Sequence, residues 1–203
     1  MRRAQYVILL LSFMVLVLLS CAAQLKQKFL DEPYRNSALS VPITVTDIEV
    51  ADGRKSADTR NLKAPKFTFK QKGDTVIPPL TIEQEKVIHD EIRQYVKGDG
   101  LRVRIKATLK EGVKQYTLGF FNAREFAKTS VTIELVNDTA RTDFFSTTGE
   151  AYYEVKSTGA DTVYLETLYR KALKTSVYKA FESIREFMEK QKTGDIPDAG
   201  SGG

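Results

Sequence analysis

Between Leu101 and Lys110 the chain alternates without a fault. Leu101, Val103, Ile105, Ala107 and Leu109 are apolar, while Arg102, Arg104, Lys106, Thr108 and Lys110 between them are polar or cationic. Successive side chains of a strand point to opposite faces, so this spacing predicts a strand buried on one side only. Such a strand cannot stand alone, and the rest of the chain has to supply a sheet and a cover for its apolar face.

The neighbouring segments carry the same period. Glu111-Gly112 reads as a turn into a second strand bearing Tyr116, Leu118 and Phe120, and a third strand follows through Ala127, Thr129, Val131, Ile133 and Leu135. Asn137-Asp138-Thr139 reads as the next turn, and a fourth strand is expected over 144–155 with a bulge at Gly149. Upstream, Val41, Ile43 and Val45 alternate, the phase slips at Asp47, and Ile48 and Val50 continue it. Residues 51–65 form a polar loop, and Phe67 and Phe69 mark a short strand.

Two helices complete the set. Thr81 and Gln84 have the spacing of a capping box, opening a helix to about Val96 that buries Ile88, Ile92, Tyr95 and Val96 and stops at Gly98 and Gly100. A longer helix over about 162–191 repeats Leu165, Leu168, Ala172, Leu173, Val177, Ala180, Phe181, Ile184 and Met188 as a wide apolar stripe. The expected fold class is α+β, a mostly antiparallel sheet with two helices packed on one face, as a single domain over 41–191. Residues 192–203 read as a flexible tail.

The N-terminus has a different character. Arg2 and Arg3 precede an apolar run from Val7 to Leu19 broken only by Ser12, too short to span a bilayer comfortably and of the length of a secretory signal's apolar region. The run ends at Leu18-Leu19-Ser20 and then Cys21, the chain's single cysteine. That tetrapeptide resembles the lipobox of bacterial lipoproteins. The resemblance implies cleavage between Ser20 and Cys21, with Leu18, Leu19 and Ser20 as signal-peptidase recognition residues and Cys21 carrying a covalent diacyl lipid. Two or more acyl chains anchor a protein stably, at about 0.8 kcal/mol per buried CH₂. Residues 1–20 are then a lipoprotein signal peptide, and 21–40 a lipidated N-terminus and tether. By the sorting pattern of such lipoproteins, Ala22 rather than aspartate after the cysteine implies the outer membrane; the domain is expected to face the periplasm, the outside of the cell being the other orientation open to a lipoprotein. With Cys21 lipidated, the exported domain has no thiol and rests on its core alone.

Over 41–191 the order of elements is similar to that of small αβ-sandwich envelope lipoproteins. These include YajG-like proteins, auxiliary lipoproteins of envelope ABC transporters and the lipoprotein partner of the lipopolysaccharide-transport barrel. The stretches that carry the likeness are the basic strand, a hairpin ending near Gly119, "TSVTIELVNDTART", "GEAYYEV" and the long terminal helix. The resemblance implies a non-catalytic adaptor or accessory role.

The residues themselves offer little chemistry. HExxH, CxxC, GxSxG and P-loop patterns are absent, no metal-ligand cluster or cofactor motif is visible, and the single histidine, His89, reads as a surface residue of the first helix. Without Arg2 and Arg3, 29 Lys and Arg face 26 acids, leaving +3, too mild a field for a nucleic-acid binder. Two surfaces stand out. Arg102, Arg104, Lys106 and Lys110 form a basic ridge suited to an anionic partner, or else a solvated sheet face. Phe121, Phe126 and Tyr152 fall on the outward phase of their strands, or are buried if that phase slips by one residue. The expected function is a lipid-anchored adaptor that binds an envelope protein; the alternative is a module holding lipid, glycan or lipopolysaccharide.

Overall fold

The structure, a computed structural model, describes residues 39–63, 72–119, 123–137, 143–157 and 164–193. The expected strand at Phe67 and Phe69, the anchor at Cys21 and the tail beyond 193 lie outside them. The chain divides into Met1–Tyr34 and Arg35–Gly203, and the second unit holds the sheet. Its elements are β1 (Val41–Asp52), β2 (Lys72–Val76), α1 (Ile82–Arg93), β3 (Val96–Leu118), β4 (Ala123–Asn137), β5 (Asp143–Ser157) and α2 (Leu165–Thr193).

The five strands form one mostly antiparallel sheet in the order β1-β3-β4-β5, with β2 also on β3. β4 runs antiparallel along β3 from Val103 to Leu118, so β1 and β2 have to share β3's other edge. β1 pairs parallel with its first part, as far as Asp52 opposite Leu109, and β2 pairs antiparallel with its end, from Val76 opposite Lys114. Between these two partners β3 passes through Lys110–Val113, where among the described residues no strand pairs on that side.

That gap is where the sequence reading needs correction. Glu111-Gly112 is not a turn: β3 runs on for 23 residues, and its register against β4 shifts between Leu109 and Glu111. Burial falls on Val103, Ile105, Ala107 and Leu109 before the shift and on Gly112, Lys114, Tyr116 and Leu118 after it. A bulge changes the inward phase by one residue as a turn would, and the long, unbroken β4 alongside favours the bulge. The other end of the strand differs too, since α1 stops at Arg93 and Val96 already belongs to β3.

The capping box at α1 forms as expected. Thr81 Oγ1 accepts the Gln84 N–H at 3.3 Å, and Gln84 Oε1 accepts the Thr81 N–H at 3.3 Å. α2 begins differently: the Glu125 carboxylate, buried on β4, accepts the Tyr164 N–H at 3.0 Å just before the first turn. A carboxylate there satisfies an orphan donor and faces the positive end of the helix dipole.

α2 sits close against β4 and β5. Ser176 Oγ lies 2.6 Å from Thr129 Oγ1 and donates to the Thr129 carbonyl at 3.1 Å, Tyr153 Oη is 2.9 Å from Thr175 Oγ1, and Phe145 stacks on Phe187 at 4.1 Å. The expected bulge at Gly149 is absent, because Gly149 pairs with Val131 in an unbroken stretch of ladder. What requires glycine is the helix: a Cβ there would overlap the Ser176 carbonyl oxygen and stand 2.7 Å from the Ala180 nitrogen. The space is closed by Tyr116, Tyr169 and Phe181, each at most 1% exposed, with Leu109, Ile133 and Leu173.

Gly149→Val should therefore lift α2 off the sheet and cost about 3 kcal/mol or more in denaturant unfolding. Ser146→Ala, at an exposed position of the same strand, should stay within about 0.5 kcal/mol of the parent.

Candidate functional site

Arg102, Arg104 and Lys106 do share one face of β3, alternating with buried Val103 and Ile105. They are not alone on it. Across the ladders, Asp47 of β1 stands beside Arg104, and Lys106 has Glu49 of β1 on one side and Glu134 of β4 on the other. Arg104 Nε is 3.9 Å from Asp47 Oδ2, with both side chains well exposed. Ladder neighbours have Cβ atoms roughly 5 Å apart, so these carboxylates act on the cations directly. The expected basic ridge is thus a band of alternating charge. Lys110 is set apart from it, for the register against β4 passes from Leu109 to Glu111 and leaves Lys110 unpaired.

Further along the same face, Phe126 and Tyr152 stand with ring centroids 5.4 Å apart, and Tyr152 is 53% exposed. Lys128 opposite Tyr152 and Glu134 opposite Lys106 belong to one alternation of β4, which places the aromatic pair and the charged band on the same surface. The Tyr152 hydroxyl donates to Glu154 Oε2 at 2.6 Å; that bond, ahead of burial and the carboxylate's field, raises its pKa. Phe121 lies outside the described residues.

His89 is on α1, half-buried, with Nδ1 3.7 Å from Asp90 Oδ1. It lines a cleft of about 410 Å³ beside β1, together with Thr44, Thr46, Arg93 and Lys97. A second cleft of about 370 Å³ runs between the helices, where Lys86 and Arg170 face Glu83, Asp90 and Glu166. Among the described residues no group of three or more His, Cys, Asp or Glu could hold a metal ion.

The most tightly built polar cluster is one that periodicity did not point to. Arg54 follows the end of β1 and folds back into the gap on β3. Its Nε donates to Asp52 Oδ1 at 2.7 Å, Nη2 to Asp52 Oδ2 at 2.6 Å and Nη1 to the Gly112 carbonyl at 3.3 Å. Asp52 also accepts the Arg54 N–H at 3.1 Å and the Leu80 N–H at 3.2 Å. The Arg54 side chain is only 4% exposed. Burial opposes its charge, but the hydrogen bonds and field of Asp52, with Tyr169 beside it, raise its pKa above the ordinary arginine value. Those bonds from Arg54, against a smaller opposing effect of burial, hold Asp52 down at about 2. Burial pushes Tyr169 of α2 up to about 12. Lys114 adds a second cation, with Nζ 2.5 Å from Glu166 Oε1 and 4.8 Å from the Tyr169 ring centre.

The Asp-x-Arg spacing repeats six residues later. Asp58 accepts the Arg60 N–H at 2.9 Å and Nε at 2.7 Å, and Arg60 reaches the Thr75 carbonyl of β2 at 3.2 Å. Two aspartates each followed at i+2 by arginine were the available signal. A polar loop otherwise reads as solvated, which is why the pair is visible only in three dimensions.

No protein-family model matches the chain. No curated protein matches it either. Among solved structures it is similar to a Xanthomonas campestris protein described as DUF330, at 11% identity and TM-score 0.46, covering 80% of this chain and 95% of that one. A candidate lipoprotein from Caulobacter crescentus matches at 11% identity and TM-score 0.38, over 55% of this chain and 84% of the other. A candidate neuraminyllactose-binding hemagglutinin homologue from Helicobacter pylori matches at 10% identity and TM-score 0.37, over 82% and 94%.

Asp52 has a folded pKa below its ordinary value of 3.8. Its contribution is therefore complete above that value and is lost as pH falls towards about 2. The carboxylate is partly exposed, and screening holds this contribution to about 1 kcal/mol. Asp52→Asn should lower stability at neutral pH and flatten the loss of stability between the two values, as read by urea unfolding across an acid series.

Proposed function

We propose that the protein is a lipid-anchored envelope lipoprotein that acts as a non-catalytic adaptor for a membrane assembly or transport machine. Cys21 carries the lipid, Leu18, Leu19 and Ser20 guide the processing, and the domain faces the periplasm from the outer membrane. The two helices cover one side of the sheet. The opposite side, with Arg102, Arg104 and Lys106, Phe126 and Tyr152, meets an envelope protein, and Lys110 stands at its margin.

The observation that carries this reading over its alternative is the charge pattern. Lipopolysaccharide phosphates or anionic headgroups are best met by an uninterrupted cationic field. Here Glu49 and Glu134 flank Lys106, and Asp47 stands beside Arg104. A protein surface can match such alternation position by position, and mismatched partners are disfavoured by like charges brought together. An exposed tyrosine packed at a tilt against a phenylalanine also suits the centre of a protein contact.

The test is crosslinking in intact cells followed by purification of wild type, Cys21→Ala and the double variant Arg104→Glu/Lys106→Glu. Wild type should capture one membrane protein. Cys21→Ala should leave the membrane fraction and lose that capture. The double variant should stay on the membrane and lose at least about tenfold of it. Co-purification of lipid or glycan with no enriched protein would replace the adaptor with the binding-module reading.

A further inference from the structure

The two long edges of the sheet are treated differently. β1 bulges between Val45 and Asp47, where it advances two residues to one of β3, and this spoils it as a template for another strand. β5 runs 15 residues from Asp143 to Ser157, its ladder with β4 is unbroken from Phe145 to Ser157, and among the described residues no strand lies on its other side. Lys179 of α2 reaches the Glu150 carbonyl at 2.8 Å and covers one point of that edge. A long straight edge of this kind invites pairing unless something already uses it.

We propose that the edge is used by a second copy of this chain, with β5 pairing antiparallel to β5 about a two-fold axis at Tyr153. In that register residues 149–157 of the two copies run side by side. Each Glu150 then lies opposite Lys156 of the other copy, each Tyr152 opposite Glu154, and Tyr153 opposite its own equivalent. Full overlap, centred on Glu150, would set the two Glu150 carboxylates together, and centring on Tyr152 would set Glu150 against Glu154. The Tyr153 register instead supplies two reciprocal ion pairs, as an isologous interface requires.

Glu150 and Lys156 both lie on the exposed phase of β5, and the two-fold axis sets the one opposite the other. The Glu150 carbonyl has a second lone pair and can accept from the partner strand while Lys179 stays bound. The result would be one continuous sheet across the dimer.

Sedimentation of the full chain in detergent micelles, with Glu150→Lys, Lys156→Glu and the double swap beside wild type, decides the matter. Either single swap sets like charges together at both pairs and should weaken the dimer roughly tenfold or more; the double swap should restore it. Amides of Glu150, Tyr152 and Glu154 should gain hydrogen-exchange protection with increasing wild-type concentration, a readout independent of any variant's folding. A wild type that is monomeric up to about 100 µM overturns the proposal. So does a dimer indifferent to the single swaps, or one that the double swap fails to restore. None of these outcomes touches the adaptor reading, which is tested by capture of another protein.

Discussion

The Asp52–Arg54 clasp is the interaction on which the arrangement of the sheet depends. β3 needs partners on both edges, yet β1 stops opposite Leu109 and β2 starts only opposite Lys114. Across the interval Arg54 acts in place of a strand by donating to the Gly112 carbonyl. Asp52 neutralises that cation and also accepts from Leu80, so one carboxylate draws together the exit from β1 and the approach to α1. A buried guanidinium without its carboxylate would leave an uncompensated charge beside Tyr169, which is why the two residues act as a unit. Gly112 belongs to the same unit, since a Cβ there would collide with Tyr169 Oη and Arg54 Nη1.

The second constraint is the approach of α2. Its backbone rests on Gly149, and Ser176 and Thr129 bond beneath it. Small residues at the contact bring helix and sheet together, and larger ones on either side, Leu168, Tyr169, Leu173 and Phe181, fill what remains. Buried polar groups are placed where they have work to do. Glu125 holds the start of α2, and Glu91 of α1 accepts from the Tyr95 hydroxyl while Lys174 Nζ lies 3.9 Å away. Those bonds tie α1 to α2 as well as to the chain entering β3.

Much of this architecture was legible because alternation is a local signal. The inward sets Val103–Leu109 and Ala127–Leu135, the capping box at Thr81 and the stripe of α2 follow directly from spacing. Strand partners and breaks in phase were not legible. A bulge and a turn leave the same trace at Glu111-Gly112, and only the length of β4 distinguishes them. Gly149 was visible as an exception in its strand, but its reason lies in a helix about thirty residues away. Of the candidate surface, the cations could be read from one strand, whereas the acids between them could not, because Asp47, Glu49 and Glu134 reach that face through pairing alone.

That last point bears on what the surface can recognise. A row of three cations on an isolated strand would attract any polyanion, with an attraction that salt screens and position scarcely modulates. Once carboxylates occupy the neighbouring ladder positions, the field at a distance largely cancels and only a close, registered partner senses it. For the proposed adaptor, affinity would then come from contact, and the Phe126–Tyr152 pair on the same face offers apolar area for it. The sheet supplies both ingredients through one geometric fact: residues far apart in sequence are set about 5 Å apart in fixed order by the ladders. Specificity on such a face depends on register as much as composition, so the bulge at Lys110 that sets where β3 changes phase also sets which charges the surface presents.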